Sequence, residues 1–191
     1  MNKKLLTTIG LTSLLSVSTL HADDYLIDTK GSHASINFRI SHLGTSWLTG
    51  RFNQFSGQFS YDPAKPEASS VKVDIDVTSI DSNHAERDKH LRGEKYLDVK
   101  DAPSASFTST SYTPNEQGGG IMQGTLELNG VSKVIDIQVT KVGEGPDPWG
   151  GYRAGFAGTT ELKLKDFDLN FKLGKASETV YLDLNIEGIK Q

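Results

Sequence analysis

From Tyr25 to the C-terminus the chain alternates apolar and polar residues with a period of two. That period puts successive side chains on opposite faces of an extended strand, so it predicts half-buried antiparallel β structure. In residues 33–42, Ile36, Phe38 and Ile40 share one face while Ser35, Asn37, Arg39 and Ser41 take the other. Val71, Val73, Ile75 and Val77 alternate with Lys72, Asp74 and Asp76. The pattern returns at Leu126 and Leu128, at Ile135, Ile137 and Val139, at Leu162 and Leu164, and at Val180, Leu182, Leu184 and Ile186. With shorter runs at 55–61 and 107–112, the expected number of strands is about eight. Asp62-Pro63, the Gly118-Gly119-Gly120 run, Asn129-Gly130 and the stretch 143–151 supply turns, and Asn129-Gly130 is the strongest hairpin signal. One segment breaks the pattern: Asn83 is placed to cap a short helix near residues 84–92 that ends before Gly93.

A sheet of that size leaves two edges unpaired unless it closes or folds over into a sandwich. Periodicity alone leaves both open. The face assigned inward carries Gly57, Gly158 and Thr160 beside Val, Ile and Leu, and these leave space rather than fill it. That favours a hollow barrel with an apolar lining, able to hold one small ligand. The fold expected is all-β, an antiparallel barrel of about eight strands with one short helix. Its ligand-facing residues are expected to be Phe38, Ile40, Phe52, Phe55, Phe59, Val73, Ile75, Phe156, Leu182 and Leu184. His42, Trp47 and Arg51 are the candidates for a mouth where a polar head is held. Taken singly, each aromatic is equally at home in a packed core.

Composition narrows the functional classes. The chain has 191 residues, 36% hydrophobic and 23% charged, the profile of one ordinary globular domain. It has no cysteine, which rules out disulfides, thiolate metal sites, a cysteine nucleophile and a lipoprotein anchor. Twenty basic against 24 acidic side chains give a net charge of −4, the wrong sign for a nucleic-acid partner. Residues 1–22 read as a secretory signal, with Lys3 and Lys4 ahead of a mostly apolar Leu5 to Leu20 and a small residue, Ala22, at the cut. Loss of Lys3 and Lys4 with that leader takes the net charge from −4 to −6. The expectation is a periplasmic protein, residues 23–191 forming one domain without stable membrane insertion.

Catalytic and metal chemistry finds little support. The densest polar cluster is Asp81, His84, Glu86, Arg87, Asp88, His90 and Arg92. A metal would need His84 and Asp88 on one helical face plus His90 or His42, a spacing unlike the known zinc motifs, so no metal is expected. The simpler reading is a charged helix whose groups pair with one another or with strand ends. His42 or His90 with Asp88 would suffice for acid–base work. There is, however, no nucleophile elbow and no phosphate loop after a strand. An enzyme is therefore the rival reading, and a module presenting its acidic exterior to a membrane partner is a third.

Several segments also carry a family resemblance, in order along nearly all of residues 23–191. They are Tyr25-Leu26-Ile27-Asp28 with His33-Ala34-Ser35-Ile36-Asn37-Phe38, Ser41-His42-Leu43-Gly44, and Gly50-Arg51-Phe52 with Phe55 and Gly57. Ser79-Ile80-Asp81 and Arg87-Asp88-Lys89-His90-Leu91 follow, then Gly124-Thr125-Leu126 leading to Asn129-Gly130-Val131, and Arg153-Ala154-Gly155-Phe156. With these motifs the chain resembles the YceI-like proteins, exported bacterial proteins with an extended lipocalin-like barrel that bind polyisoprenoids. The resemblance implies a long apolar channel that holds an isoprenoid lipid non-covalently, either a respiratory quinone or a polyprenyl phosphate. It implies no established catalytic residue, no required cofactor, and at most a transient partner at the inner membrane. One departure stands out: where many relatives carry Arg-Ser-x-Phe-Gly, this chain reads Leu164-Lys165-Asp166-Phe167-Asp168, and only Phe167 matches.

Overall fold

The period-two segments form strands that pair antiparallel throughout, and in a computed structural model they close into a barrel. The structure describes residues 22–191 except Lys172, so the expected leader lies almost wholly outside the described residues. The strands are β1 (Asp23–Ile27), β2 (Ser35–His42), β3 (Ser46–Phe52), β4 (Phe55–Tyr61), β5 (Ser70–Asp76) and the two-residue β6 (Ile80–Asp81). The one α-helix among the described residues, α1 (Ala85–Leu91), precedes β7 (Ser104–Pro114), β8 (Gly120–Leu128), β9 (Val131–Pro146), β10 (Tyr152–Lys163) and β11 (Thr179–Lys190).

Eight of these strands form a closed ring in the order β1-β4-β5-β7-β8-β9-β10-β11, with β11 returning to β1 from Tyr25↔Lys190 to Ile27↔Gly188. Closure is the physical answer to the edge problem, since every ring strand then has two partners. β2 lies along the other half of the same β11 edge, from Val180↔Ile40 to Asn185↔Ser35, so β1 and β2 act as one long strand interrupted at residues 28–34. β3 pairs with β2, and β6 meets it at Arg51↔Asp81 and Phe52↔Ile80.

The interruption between β1 and β2 is held by charge. Asp28, buried, accepts the Gly31 amide at 2.8 Å and pairs with Arg153 at 2.7 Å and His33 at 3.0 Å. Arg153 also reaches Glu187 and, at 3.1 Å, Asp147 in the β9–β10 turn. The Arg153 hydrogen bond above all, with the Gly31 amide and His33, holds the Asp28 carboxyl down at about 2, against an ordinary value of 3.8. A carboxyl depressed in the folded state contributes stability above its unfolded pKa and loses it as pH falls through the folded value. Wild-type stability is therefore expected to drop between about pH 4 and pH 2. Asp28→Asn should lack that part of the drop in urea titrations at pH 5 and pH 2.5.

One end of the barrel is closed by packing. Phe38, Val77, Ile80, Leu97, Leu162, Leu164, Phe167 and Leu169 are the part of a larger buried cluster that lies there, with Leu91 and Val99 packed on it; the cluster continues along the wall through Leu126 and Phe107 to Met122 and Tyr112. α1 is tied over this end by its charged residues, which is the simpler of the two expectations for that cluster. Arg92 donates to the Thr78 and Ile80 carbonyls, both at 2.7 Å, and Arg87 to the Ser82 carbonyl at 2.6 Å. Asp88, buried, accepts the Ser82 amide at 2.9 Å and the Ser82 hydroxyl. The cap is His84 rather than Asn83: its Nδ1 accepts the Arg87 amide at 3.2 Å, while Asn83 sits one residue earlier at φ 61°.

Glycines shape the bore by letting rings lie flat. A Cβ added at Gly50 or Gly124 would strike the ring of Phe38 or Phe107 on the paired strand, and one at Gly188 would strike the ring of Phe59, which reaches over from β4 across β1. Aromatics placed across glycines press against the wall instead of plugging the axis. Gly57, expected to leave space in the bore, instead makes room for Ile27, whose Cδ1 a Cβ there would meet at 2.8 Å. The departure at 164–168 keeps its turn. Leu164–Phe167 form a 3-10 turn that ends on Asp168 at φ 57°, and a short Asp tolerates the left-handed backbone that a glycine adopts freely.

Candidate functional site

The bore is a cavity of about 150 Å³. Val73, Ile75, Phe59, Phe156, Leu182 and Leu184 line it, together with Ile137, Val139, Ile186, Gly158 and Thr160. Leu182, Leu184 and Ile186 point inward yet are only half-buried, because they face a void and not a packed core. The Thr160 hydroxyl is satisfied by the Asp136 carbonyl at 2.7 Å, so it offers the bore no unmet donor.

The other expected lining residues lie elsewhere in the wall. Phe38 belongs to the closed-end cluster, and Ile40 packs on it half-buried. Phe52 touches both core clusters, while Phe55 packs on the one around Tyr25 and Phe59. His42, Trp47 and Arg51 do not form the mouth of this bore. They line a groove of about 710 Å³ beside β3, at the end away from the opening. Trp47 faces outward because it opposes Ser41 in the pleat, and it is 53% exposed. Arg39 lies 5.0 Å from its ring centroid and 5.2 Å from that of Tyr181.

The bore opens at the opposite end, beside the β4–β5 hairpin, where Tyr61, Ser69, Ser70, Tyr112 and Met122 form its rim. The Tyr61 hydroxyl accepts from Lys141 Nζ at 3.0 Å, and Lys141 donates to Glu144 Oε1 at 2.8 Å. Lys141 also lies 5.0 Å from the Tyr61 ring centroid. Burial opposes the Lys141 charge, but Glu144 and Tyr61 outweigh it and hold the ammonium pKa above its ordinary value. Burial, assisted by Tyr61, raises the Tyr112 phenol, and burial with Asp23 and Glu144 pushes Tyr25 up to about 12. These phenols stay neutral. Asp62 is buried near the same rim; one carboxylate oxygen accepts the Ala64 amide at 2.8 Å and the other has no partner among the described residues. Lys141 is not among the residues expected from the sequence at the ligand. Its signal is nevertheless present, since Ile135, Ile137, Val139 and Lys141 run in one phase, and a lysine in the inward phase marks a site.

Among the described residues, His33 is the only histidine whose side chain comes within 4.0 Å of a carboxylate, which leaves His42 and His90 without an acid partner. Asp88 faces Ser82, and positions two apart on a helix do not face each other. Asp28, His33 and Glu187 bring ligand atoms within 4.8 Å of one another, but Arg153 already bonds both carboxylates and fills the cation's place.

A closed, antiparallel, hollow barrel with a polar rim at one end defines a lipocalin-like class of protein. The chain belongs to the YceI-like family: the YceI-like domain profile matches residues 25–188. It is 52% identical over 191 residues to a UPF0312 protein of Shewanella putrefaciens and 53% identical over 191 residues to one of Ectopseudomonas mendocina, each across 100% of both chains. Among solved structures it is similar to a Campylobacter jejuni YCEI protein, at TM-score 0.72 and 28% identity, covering 80% of this chain and 90% of that one. BcnA of Burkholderia cenocepacia shares the fold at TM-score 0.74 and 22% identity, over 84% and 98% of the two chains. A domain from Saccharophagus degradans described as polyisoprenoid binding shares it at TM-score 0.63 and 19% identity, over 87% and 98%.

Proposed function

We propose that this protein is an exported carrier that holds the tail of an isoprenoid lipid in its bore, non-covalently and without catalysis, and ferries or stores it in the periplasm. The observation that carries this reading is the wall itself, which is apolar along its whole length. A site of that kind gains free energy from hydrocarbon and orients a ligand with a few groups at the rim. The polyisoprenoid-binding description of the Saccharophagus degradans domain supports the same ligand class.

The size of the bore sets a condition. A void of about 150 Å³ is of the scale that admits one benzene ring, so it cannot take a long tail as it stands. Loading therefore requires the half-buried inward side chains, such as Val71, Ile135 and Leu184, to turn aside and the bore to lengthen. The test is native mass spectrometry of the protein purified from its own periplasm, followed by identification of the extracted lipid. A stoichiometric isoprenoid is expected. Protein that is consistently empty, or that carries an ordinary phospholipid, would overturn the assignment.

A further inference from the structure

β3 is left without a neighbour along most of one edge. β2 pairs with it over its whole length on one side, whereas β6 meets its other side only at Arg51 and Phe52. In an antiparallel pair every second residue turns its N–H and C=O away from the partner. Over Ser46–Thr49 those outward groups meet no strand among the described residues, and the exposed indole of Trp47 stands beside them. An edge of this kind is a template on which a further strand can pair.

The edge borders the groove described above, whose far wall is residues 81–83 and Arg87. The walls converge at Gly50, where an added Cβ would meet the Asp81 carbonyl at 2.7 Å. A slot bounded on both sides suits one extended chain and not the broad flank of a second barrel.

Charge selects the chain. The protein carries a net charge of −4, yet this groove is lined by Arg39, Arg51 and Arg87 against Asp81 and Asp183. Arg87 is engaged with the Ser82 hydroxyl at 2.7 Å and its carbonyl at 2.6 Å, and Asp81 accepts the Asn83 amide at 2.8 Å and Asn53 at 3.1 Å. Among the described residues, the ion pairs of lysine and arginine are those of Lys72, Lys141, Arg153 and Lys190, so Arg39 and Arg51 have no carboxylate within 4.0 Å. Arg39 rests on the rings of Trp47 and Tyr181, and stacking engages the face of a guanidinium while leaving its in-plane N–H donors to a ligand. Arg39 lies opposite Thr49, so Arg51 is its diagonal neighbour on the same outer face. Diagonal neighbours are about 7–8 Å apart, close to the spacing of alternate side chains along a strand.

We propose that the free edge of β3 is a docking site for an extended segment of a partner protein, which adds as a further strand and sets acidic side chains at alternate positions against Arg39 and Arg51. The backbone edge supplies affinity and the two guanidiniums supply the preference for acid. This goes beyond the carrier reading and is independent of what the bore holds.

The test titrates end-capped hexapeptides into the full protein carrying Trp149→Phe, which leaves Trp47 as the one indole to report by fluorescence. The probes are Glu-Val-Glu-Val-Glu-Val, its counterpart with Lys for Glu, and two copies of the acidic peptide N-methylated at alternate amides, one in each phase. The acidic peptide is expected to bind at least about tenfold more tightly than the basic one. One of the two N-methylated phases should lose at least about tenfold, because methylation removes the ladder donors and leaves the charge unchanged. Arg39→Ala and Arg51→Ala should each weaken the acidic peptide about threefold or more with unchanged thermal melts, both side chains being exposed. No saturable response to the acidic peptide, equal binding of the basic one, or full binding by both N-methylated copies overturns the proposal. A dimer in sedimentation that Trp47→Asp dissolves also overturns it, since a second copy then occupies the edge.

Discussion

A ligand trimmed to one or two isoprene units is expected to lose measurable binding, at concentrations where a chain of five or more saturates the protein. Burying a methylene contributes about 0.8 kcal/mol, so one five-carbon unit gains on the order of 3–4 kcal/mol as an upper bound. Association costs about 4–15 kcal/mol, so roughly four or five enclosed units are needed before the balance turns favourable. The narrow bore adds the work of turning the wall residues aside, which pushes the threshold toward the longer end. Each unit removed should therefore weaken binding by at least about tenfold. Exchanging the head at constant tail length moves affinity by no more than a few hydrogen bonds' worth. A titration series of one head on tails of increasing length, read by intrinsic fluorescence, checks this. Affinity that ignores tail length, or a free head group that binds as well as the full lipid, would remove the basis for a tail-filled bore.

Much of the barrel was legible because an antiparallel strand with one wet face writes its geometry into every second residue. Val71, Val73, Ile75 and Val77, and Val180 to Ile186 on β11, fall in the bore or its packed end as their alternation predicts. β3 was not read as a strand, and its inward positions show why: Leu48, Gly50 and Phe52 contain a glycine that breaks the apolar run. That glycine exists for Phe38, which lies across it, and a contact between two strands is invisible to a pattern read along one. The same limit displaced the mouth. Trp47 and His42 look like rim residues in a sequence full of aromatics, but the pleat turns Trp47 outward, and which end of a barrel stays open depends on where α1 packs. Half of the residues expected at the ligand border the bore and half do not, whereas the closing of one end by Leu97, Phe167 and Leu169 follows from loops whose paths periodicity does not encode.

A charge placed on the bore wall should separate lining from core. Leu184 borders the void half-buried, at the edge of both core clusters, so Leu184→Asp puts a carboxylate where hydrocarbon must lie while leaving the fully buried side chains in place. It is expected to fold and to lose bound lipid by at least about tenfold, since each displaced apolar contact and the buried charge act together. Phe38→Asp differs in kind. Phe38 is 8% exposed within the closed-end cluster, and there the same charge meets tight packing, so unfolding is expected in place of mere emptying. Val139→Phe is the complementary variant, adding volume to the void without adding charge. It should keep the melting temperature within a few degrees of the wild type and still exclude the tail, because a filled bore has no path for it. Lipid content by mass spectrometry and thermal melts of all three variants decide the matter. Undiminished lipid in both Leu184→Asp and Val139→Phe, with the fold intact, would place the ligand outside the bore, and the groove beside Trp47 would then be the surface to examine.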